Sequence, residues 1–162
     1  MRLPIIVFIL LLFTGNAFAQ QNVSNDPPFS FQKVFYGRAG SGMIIADYRH
    51  VQFQIDSSGR LLFSCIPGKG ALNGTYSGQL SPAQLTQLNA LIKKCNPEQF
   101  VISHQKVMDV PGYTFRFYYN NKMKEDQGQM LPRPAIDLSN FLESLTGTLK
   151  LERITYNYGL DK

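Results

Sequence analysis

The chain has 162 residues, of which 44% are hydrophobic and 17% charged, and its formal net charge is +5. A chain of this length is typical of one domain and can bury a core without a structural metal. The basic residues are scattered and form no concentrated patch, which argues against nucleic acid as a partner.

The N-terminal segment has the pattern of a secretory signal peptide. Arg2 is followed by an apolar run over residues 3–13 and by a small-x-small cleavage site at residues 17–19. That run is shorter than the ~20 residues that span a bilayer, so no stable membrane span is expected after cleavage. We predict a signal peptide over residues 1–19, cleavage near Ala19 and a secreted or periplasmic location.

Strands dominate the next part of the chain. After a polar, flexible lead-in over residues 20–28, one α+β domain is predicted over residues 29–162. Alternating apolar and polar residues predict a first hairpin over residues 50–66, with an Asp- and Gly-containing turn. The other elements predicted here are a strand over 29–36, a glycine loop over 37–42, a short strand over 43–47, a loop over 67–74 and an edge strand over 75–79.

A helix over residues 81–95 is the best-specified element. Ser81 and Gln84 have the spacing of a capping box, and Pro82 suits the first helical position. The apolar residues that follow recur at helical spacing and predict one buried stripe. Asn96 and the proline after it end the helix.

The second half repeats this order of elements. Residues 113–127 predict a second hairpin that turns at Asn120 and Asn121, and residues 134–146 predict a second helix ended by Gly147. Residues 99–102 are predicted as extended, and residues 149–156 as a last strand or a tail. The predicted fold is α+β, an antiparallel sheet of two main hairpins with both helices packed on one face.

The two cysteines are predicted to face the core from opposite layers. Cys65 shares a strand face with Leu61 and Phe63, and Cys95 shares the apolar face of the first helix. In an oxidising compartment a Cys65–Cys95 disulfide is favoured, which would stabilise the fold by roughly 3–4 kcal/mol. The alternative is two buried thiols that pack as small apolar groups.

The motifs predict no catalytic residue, no cofactor and no metal. The glycines of residues 37–42 match neither nucleotide-binding fingerprint. His50 and His104 are distant in sequence, match no ligand spacing together with the cysteines, and have no visible second catalytic group. Arg116 and Tyr118 alternate with the apolar residues of their strand and, with Arg38, form the predicted binding surface.

Short segments of the chain resemble a family of uncharacterised secreted or envelope bacterial domains. The resemblance rests on residues 36–40, on the Asp56-x-x-Gly59 turn and on residues 74–81, which open the first helix. It covers roughly residues 33–146 and implies a small exported α+β domain, with no catalytic residue to carry over.

Three functions follow as hypotheses. The first is a binding or interaction domain for an unknown protein or envelope ligand, which a groove beside Arg116 and Tyr118 would favour. The second is a small periplasmic or extracellular enzyme that uses His50 or His104. The third is an inhibitor of an envelope hydrolase, presenting Arg38 or Lys69 on a protruding loop.

Cleavage of the signal peptide has a direct test. We expect the exported protein to begin at Gln20, because the small residues at positions 17 and 19 suit signal peptidase. Intact-mass measurement and N-terminal sequencing of protein recovered outside the cytoplasm check this. A mature chain that retains residues before Ala17 would show that the assignment is wrong.

Overall fold

The computed structural model describes residues 29–40, 48–67, 73–108 and 110–154. The predicted signal peptide, the lead-in, the strand over residues 43–47 and Lys69 lie outside these residues.

The described residues form one antiparallel sheet and two α-helices, so the fold is mixed α+β. The seven strands, in spatial order, are β6, β5, β1, β2, β3, β4 and β7. In chain order they are β1 (Phe31–Ala39), β2 (Tyr48–Asp56), β3 (Arg60–Pro67), β4 (Gly74–Gln79), β5 (Gly112–Tyr119), β6 (Lys122–Gly128) and β7 (Glu152–Ile154). The helices are α1 (Pro82–Cys95) and α2 (Arg133–Thr148), and a short 3₁₀ helix spans Pro97–Gln99.

The sheet is larger than the two predicted hairpins. The hairpins β2–β3 and β5–β6 are present, but β1 lies between them and pairs with both β2 and β5. β4 was predicted as an edge strand, whereas β7 pairs with it, with Thr75 opposite Ile154. The pairing of β1 with β5, and that of β4 with β7, joins segments that are distant in sequence, and no local pattern encodes either pairing.

The predicted signals at the ends of α1 are confirmed. The backbone N–H of Gln84 donates to Ser81 Oγ at 3.3 Å, and the backbone N–H of Ser81 donates to Gln84 Oε1 at 2.9 Å. Asn96 adopts the left-handed conformation with φ of 48° and closes the helix. Gly147 does not end the second helix, because α2 continues to Thr148.

A row of aromatic side chains crosses five strands on one face of the sheet. Register places the members directly opposite one another on β5, β1, β2, β3 and β4. Successive ring centroids lie 5.0, 5.9, 4.7 and 6.1 Å apart. All are buried, and they share one core cluster with the buried residues of α1 and α2. This aromatic row consists of Phe115, Tyr36, Phe53, Phe63 and Tyr76.

The predicted Cys65–Cys95 disulfide is not formed. Both cysteines are buried, as predicted, but their sulfurs have different neighbours. Cys65 Sγ lies 3.9 Å from the carbonyl oxygen of Gly74. Burial raises the pKa of Cys95 to about 12, and the Asp137 carboxylate adds to this rise. Cys65 on β3 and Cys95 on α1 thus both face the core, but their sulfurs are not bonded to each other.

Among the described residues, neither α-helix has the length and apolar composition that crossing a bilayer requires.

The segment after the 3₁₀ helix packs tightly on the sheet. Phe100 makes edge contacts with Phe115 and Phe117, with ring centroids 5.6 and 4.9 Å apart. The chain then passes so close to Gly128 that a β-carbon there would lie 2.4 Å from the carbonyl oxygen of Ser103. Residue 128 therefore has no room for a side chain.

Substitution of that glycine tests this packing. We expect Gly128→Ala to lower the free energy of unfolding by about 1–3 kcal/mol, because backbone must move to admit the methyl group. Gly112→Ala is the matched control on the adjacent strand, since no atom lies within 4 Å of its β-carbon position. Urea unfolding of both variants gives the comparison, and equal stabilities would contradict the close approach.

Candidate functional site

The face of the sheet opposite the aromatic row is here called the outer face. Successive side chains of a strand point to opposite faces, so Phe35 and Gly37 of β1 lie on the outer face while Tyr36 lies in the core. Phe35 is half-buried, whereas the strand residues of the aromatic row are buried. The outer face is therefore the part of the sheet where described side chains remain available to a ligand.

An open cleft of about 790 Å³ lies on the outer face, within the size range of small-molecule sites. Register aligns Gly37 between Gln52 on one side and Thr114 on the other, and Thr114 is opposite Gln127. We call this the outer cleft; these four residues, Phe35, His104 and residues 106–108 are among those that line it. A smaller pocket of about 290 Å³ shares Phe35 and Gln52 with it.

Gly37 leaves room for the ring of Phe35. A β-carbon at residue 37 would lie 3.3 Å from Phe35 Cε1. The Phe35 ring therefore rests against the backbone of Gly37, the next residue of β1 on the same face. This residue was predicted to begin a loop, but β1 continues to Ala39. Its backbone is therefore part of the sheet, and the missing side chain leaves the space that the Phe35 ring borders.

Gln129 holds the chain segment that borders the outer cleft. The backbone N–H of Val107 donates to Gln129 Oε1 at 2.5 Å, and Gln129 Nε2 donates to the carbonyl oxygen of Val110 at 3.1 Å. One side chain thus fixes the segment at two points. The side chains of Lys106 and Met108 are exposed beside the cleft.

The structure brings His50 and His104 to the same cleft, which their sequence separation did not indicate. His104 Nε2 lies 3.6 Å from Asp126 Oδ1, beyond hydrogen-bonding distance, and its side chain is 70% exposed. The Asp126 oxygens accept hydrogen bonds from the backbone N–H groups of Ile102 and Gln127, at 2.9 and 2.8 Å. This carboxylate therefore holds the backbone, and the nearby histidine is not oriented by it.

Arg38, predicted on a loop, lies near the end of β1 and joins α2. Its Nε and Nη2 donate to the two carboxylate oxygens of Glu143 at 3.0 and 3.2 Å. The buried hydroxyl of Tyr36 donates to Glu143 Oε1 at 2.5 Å. Burial, then the Glu143 carboxylate, raises the pKa of Tyr36 well above its usual value. We call these three residues the Glu143 clamp.

Arg116 and Tyr118 lie on the outer face, each stacked with a side chain of β1. The Arg116 guanidinium carbon is 5.4 Å from the centre of the Phe35 ring, and Lys33 Nζ is 5.0 Å from the centre of the Tyr118 ring. Arg116 Nε also donates to Glu125 at 2.7 Å, and this hydrogen bond lowers the pKa of Glu125. Arg116 thus adjoins the outer cleft through Phe35.

Several residues that shape this site carried no recognisable signal in the sequence. Phe35 falls within the strand predicted over residues 29–36, and Gln52 and Gln127 fall within the two predicted hairpins. Their common location depends on the pairing of β1 with both hairpins. Among the described residues, no three His, Cys, Asp or Glu side chains converge into a set that could hold a metal ion.

A scan of protein-family models gave no match to this chain, and a search of curated proteins gave no significant match either. The resemblance to secreted or envelope bacterial domains stays a prediction.

The Glu143 clamp gives a stability prediction with a defined pH dependence. We expect Tyr36→Phe to lower the free energy of unfolding by about 1–2 kcal/mol at pH 8, because the hydrogen bond to a carboxylate is lost. Folded Tyr36 has a raised pKa, so its contribution is complete below about pH 10, the unfolded value, and falls as the pH rises further. The free energy of unfolding should therefore fall more steeply above pH 10 in the wild-type protein than in the Tyr36→Phe variant.

Urea unfolding between pH 8 and pH 11 measures both effects. Tyr118→Phe is the control, because it removes a hydroxyl from the outer face and leaves the clamp intact. A wild-type protein and a Tyr36→Phe variant with the same stability and the same alkaline slope would contradict this role of the clamp.

Proposed function

We propose that this protein is an exported, non-catalytic binding domain whose ligand site is the outer cleft. The observation that carries the proposal is the cleft itself. It is an open site of about 790 Å³, bordered by half-buried Phe35 and by the exposed amides of Gln52 and Gln127. Ligand sites combine such an apolar surface with a few polar groups that fix orientation.

The polar groups of the outer cleft support recognition. Within the described chain, the side chains of Gln52, Thr114 and Gln127 make no hydrogen bond to another residue. Each amide offers two donors and one acceptor oxygen to a ligand. Because these groups already face solvent, a ligand that pairs with them exchanges hydrogen bonds with water and leaves no buried group unsatisfied.

The enzyme hypothesis has less support. A catalytic histidine requires a partner that orients it and a nucleophile or water in reach. Asp126 is 3.6 Å from His104 and its oxygens are occupied by backbone N–H groups. The His50 side chain makes no hydrogen bond or ion pair with another described residue.

The inhibitor hypothesis also has less support. It required Arg38 on a protruding loop, whereas Arg38 lies in β1 and its guanidinium is held by Glu143. Lys69, the second residue of that hypothesis, lies outside the described residues.

We further infer that both helices cover the face of the sheet that carries the aromatic row. Buried residues of α1, including Leu88 and Ile92, and of α2, including Leu138 and Leu142, share one core cluster with that row. Such packing leaves the outer face uncovered by the two described helices, which supports its use as a binding surface.

The proposal predicts where small ligands bind. We expect small compounds that carry hydroxyl or carboxylate groups, screened against ¹⁵N-labelled protein by NMR, to shift resonances of the outer cleft. Gln52→Trp should abolish these shifts, because the indole fills the cleft between β1 and β2.

Gln87→Trp is the matched control, since Gln87 is exposed on α1, which contributes no residue to the cleft. Compounds that shift other surfaces, or that bind Gln52→Trp as well as wild type, would contradict the assignment of the site.

A further inference from the structure

Two lining residues of the outer cleft carry a formal charge, Arg38 and Lys106, and both are basic. None of the described lining residues is an aspartate or glutamate. Arg38 is neutralised by Glu143. Lys106 is exposed and makes no ion pair with a described residue, so its charge is available to a ligand. The charge of the cleft therefore favours an anion.

The spacing of the amides favours an extended ligand. Gln127, Thr114, Gly37 and Gln52 occupy successive positions on four adjacent strands. Adjacent strands lie about 4.8 Å apart, so the backbones of the two glutamines are separated by ~14 Å. A short oligomer lying across the strands matches this separation better than one sugar ring or one amino acid does.

The chemistry between the glutamines suits a saccharide. Primary amides and Thr114 can pair with hydroxyl groups, which donate and accept hydrogen bonds as these side chains do. The part of the half-buried Phe35 ring that Arg116 and Gly37 leave exposed offers an apolar surface to the carbon-bound hydrogens of a sugar ring. The exposed hydrogen-bonding groups and the aromatic surface are thus combined within one cleft.

A carboxylate fits the cleft better than a phosphate. Phosphate sites typically use the N-terminus of a helix or a fork of free arginines. No residue of α1 or α2 is among the residues that line the cleft. The guanidinium of Arg38 is already occupied by the two oxygens of Glu143, and that of Arg116 by Glu125. Lys106 offers a single point charge, which one carboxylate can satisfy.

We propose that the outer cleft binds an acidic oligosaccharide, with Gln52 and Gln127 on its hydroxyl groups and Lys106 on a carboxylate. The inference rests on the proposed function and adds the chemical class of the ligand. The oligosaccharide lies across β6, β5, β1 and β2, beside the Phe35 ring.

Titration calorimetry with defined oligosaccharides tests this. The probes are trimers of galacturonate, of mannuronate and of the glucuronate-containing hyaluronan repeat, together with the neutral galactose trimer. We expect at least one acidic trimer to bind at least tenfold more tightly than the neutral one. Gln52→Ala should weaken that binding at least fivefold, because the ligand loses an amide partner.

Charge variants separate specific from general attraction. Lys106→Gln should weaken binding of the acidic trimer about three- to tenfold and leave the neutral trimer unaffected. Lys93→Gln removes the same charge from an exposed position on α1 and should change neither. Equal losses in the two variants would show attraction to the net positive charge of the protein and would overturn the assignment of Lys106.

The remaining outcomes distinguish this inference from the proposed function. Equal binding of acidic and neutral trimers overturns the preference for a carboxylate and leaves the cleft as the site. Failure of every trimer, while small compounds still shift the cleft resonances, overturns the saccharide class alone. Failure of both the trimers and the small compounds overturns the proposed function as well.

Discussion

The register of the sheet depends on the aromatic row. Five rings stand directly opposite one another on five neighbouring strands, with centroids 4.7 to 6.1 Å apart and all buried. Aromatic pairs across strands add stability beyond the area they bury. A shift of one residue in any of these strands would move its ring to the outer face, and in β2, β4 and β5 it would also bring a polar residue into the core. The row therefore fixes which side chains face outwards, and with them the composition of the outer cleft.

The residues next to the row explain how the cleft is built and held. Tyr36 belongs to the row and also to the Glu143 clamp, so the same residue aligns β1 in the sheet and ties it to α2. On the β6 side of the cleft, the backbone of Ser103 packs against Gly128, and Gln129 makes two hydrogen bonds to the segment that borders the cleft. These contacts hold that segment in place. Core packing and the geometry of the outer cleft are thus connected through single residues.

Elements specified by neighbouring residues could be predicted from the sequence, and elements specified by distant ones could not. The capping box of α1 and the left-handed Asn120 and Asn121, with φ of 46° and 58°, depend on local chemistry and are confirmed. β1 lies between the two hairpins and pairs with both, and the hairpin β5–β6 is about 80 residues away from β1 in sequence. The disulfide prediction was wrong for the same reason, since local periodicity gives the direction of a side chain but not its position. The cleft requires four strands in register, so no stretch of sequence contains it.

The contacts that the polar groups make help to compare the binding hypothesis with the enzyme hypothesis. The hydroxyl of Tyr36 and the carboxylate of Asp126 are each engaged in a contact that holds the fold, as burial of a polar group requires. A catalytic group differs in that its environment must leave it reactive and aimed at open space. The groups of the cleft that make no hydrogen bond or ion pair with a described residue include the imidazole of His50, the amides of Gln52 and Gln127, the hydroxyl of Thr114 and the ammonium of Lys106. The amides and the hydroxyl recognise a ligand well and are poor nucleophiles. Gln52, Thr114 and Gln127 lie on paired strands, so less conformational entropy is lost when they bind a ligand, and this is the physical basis of the proposed binding site.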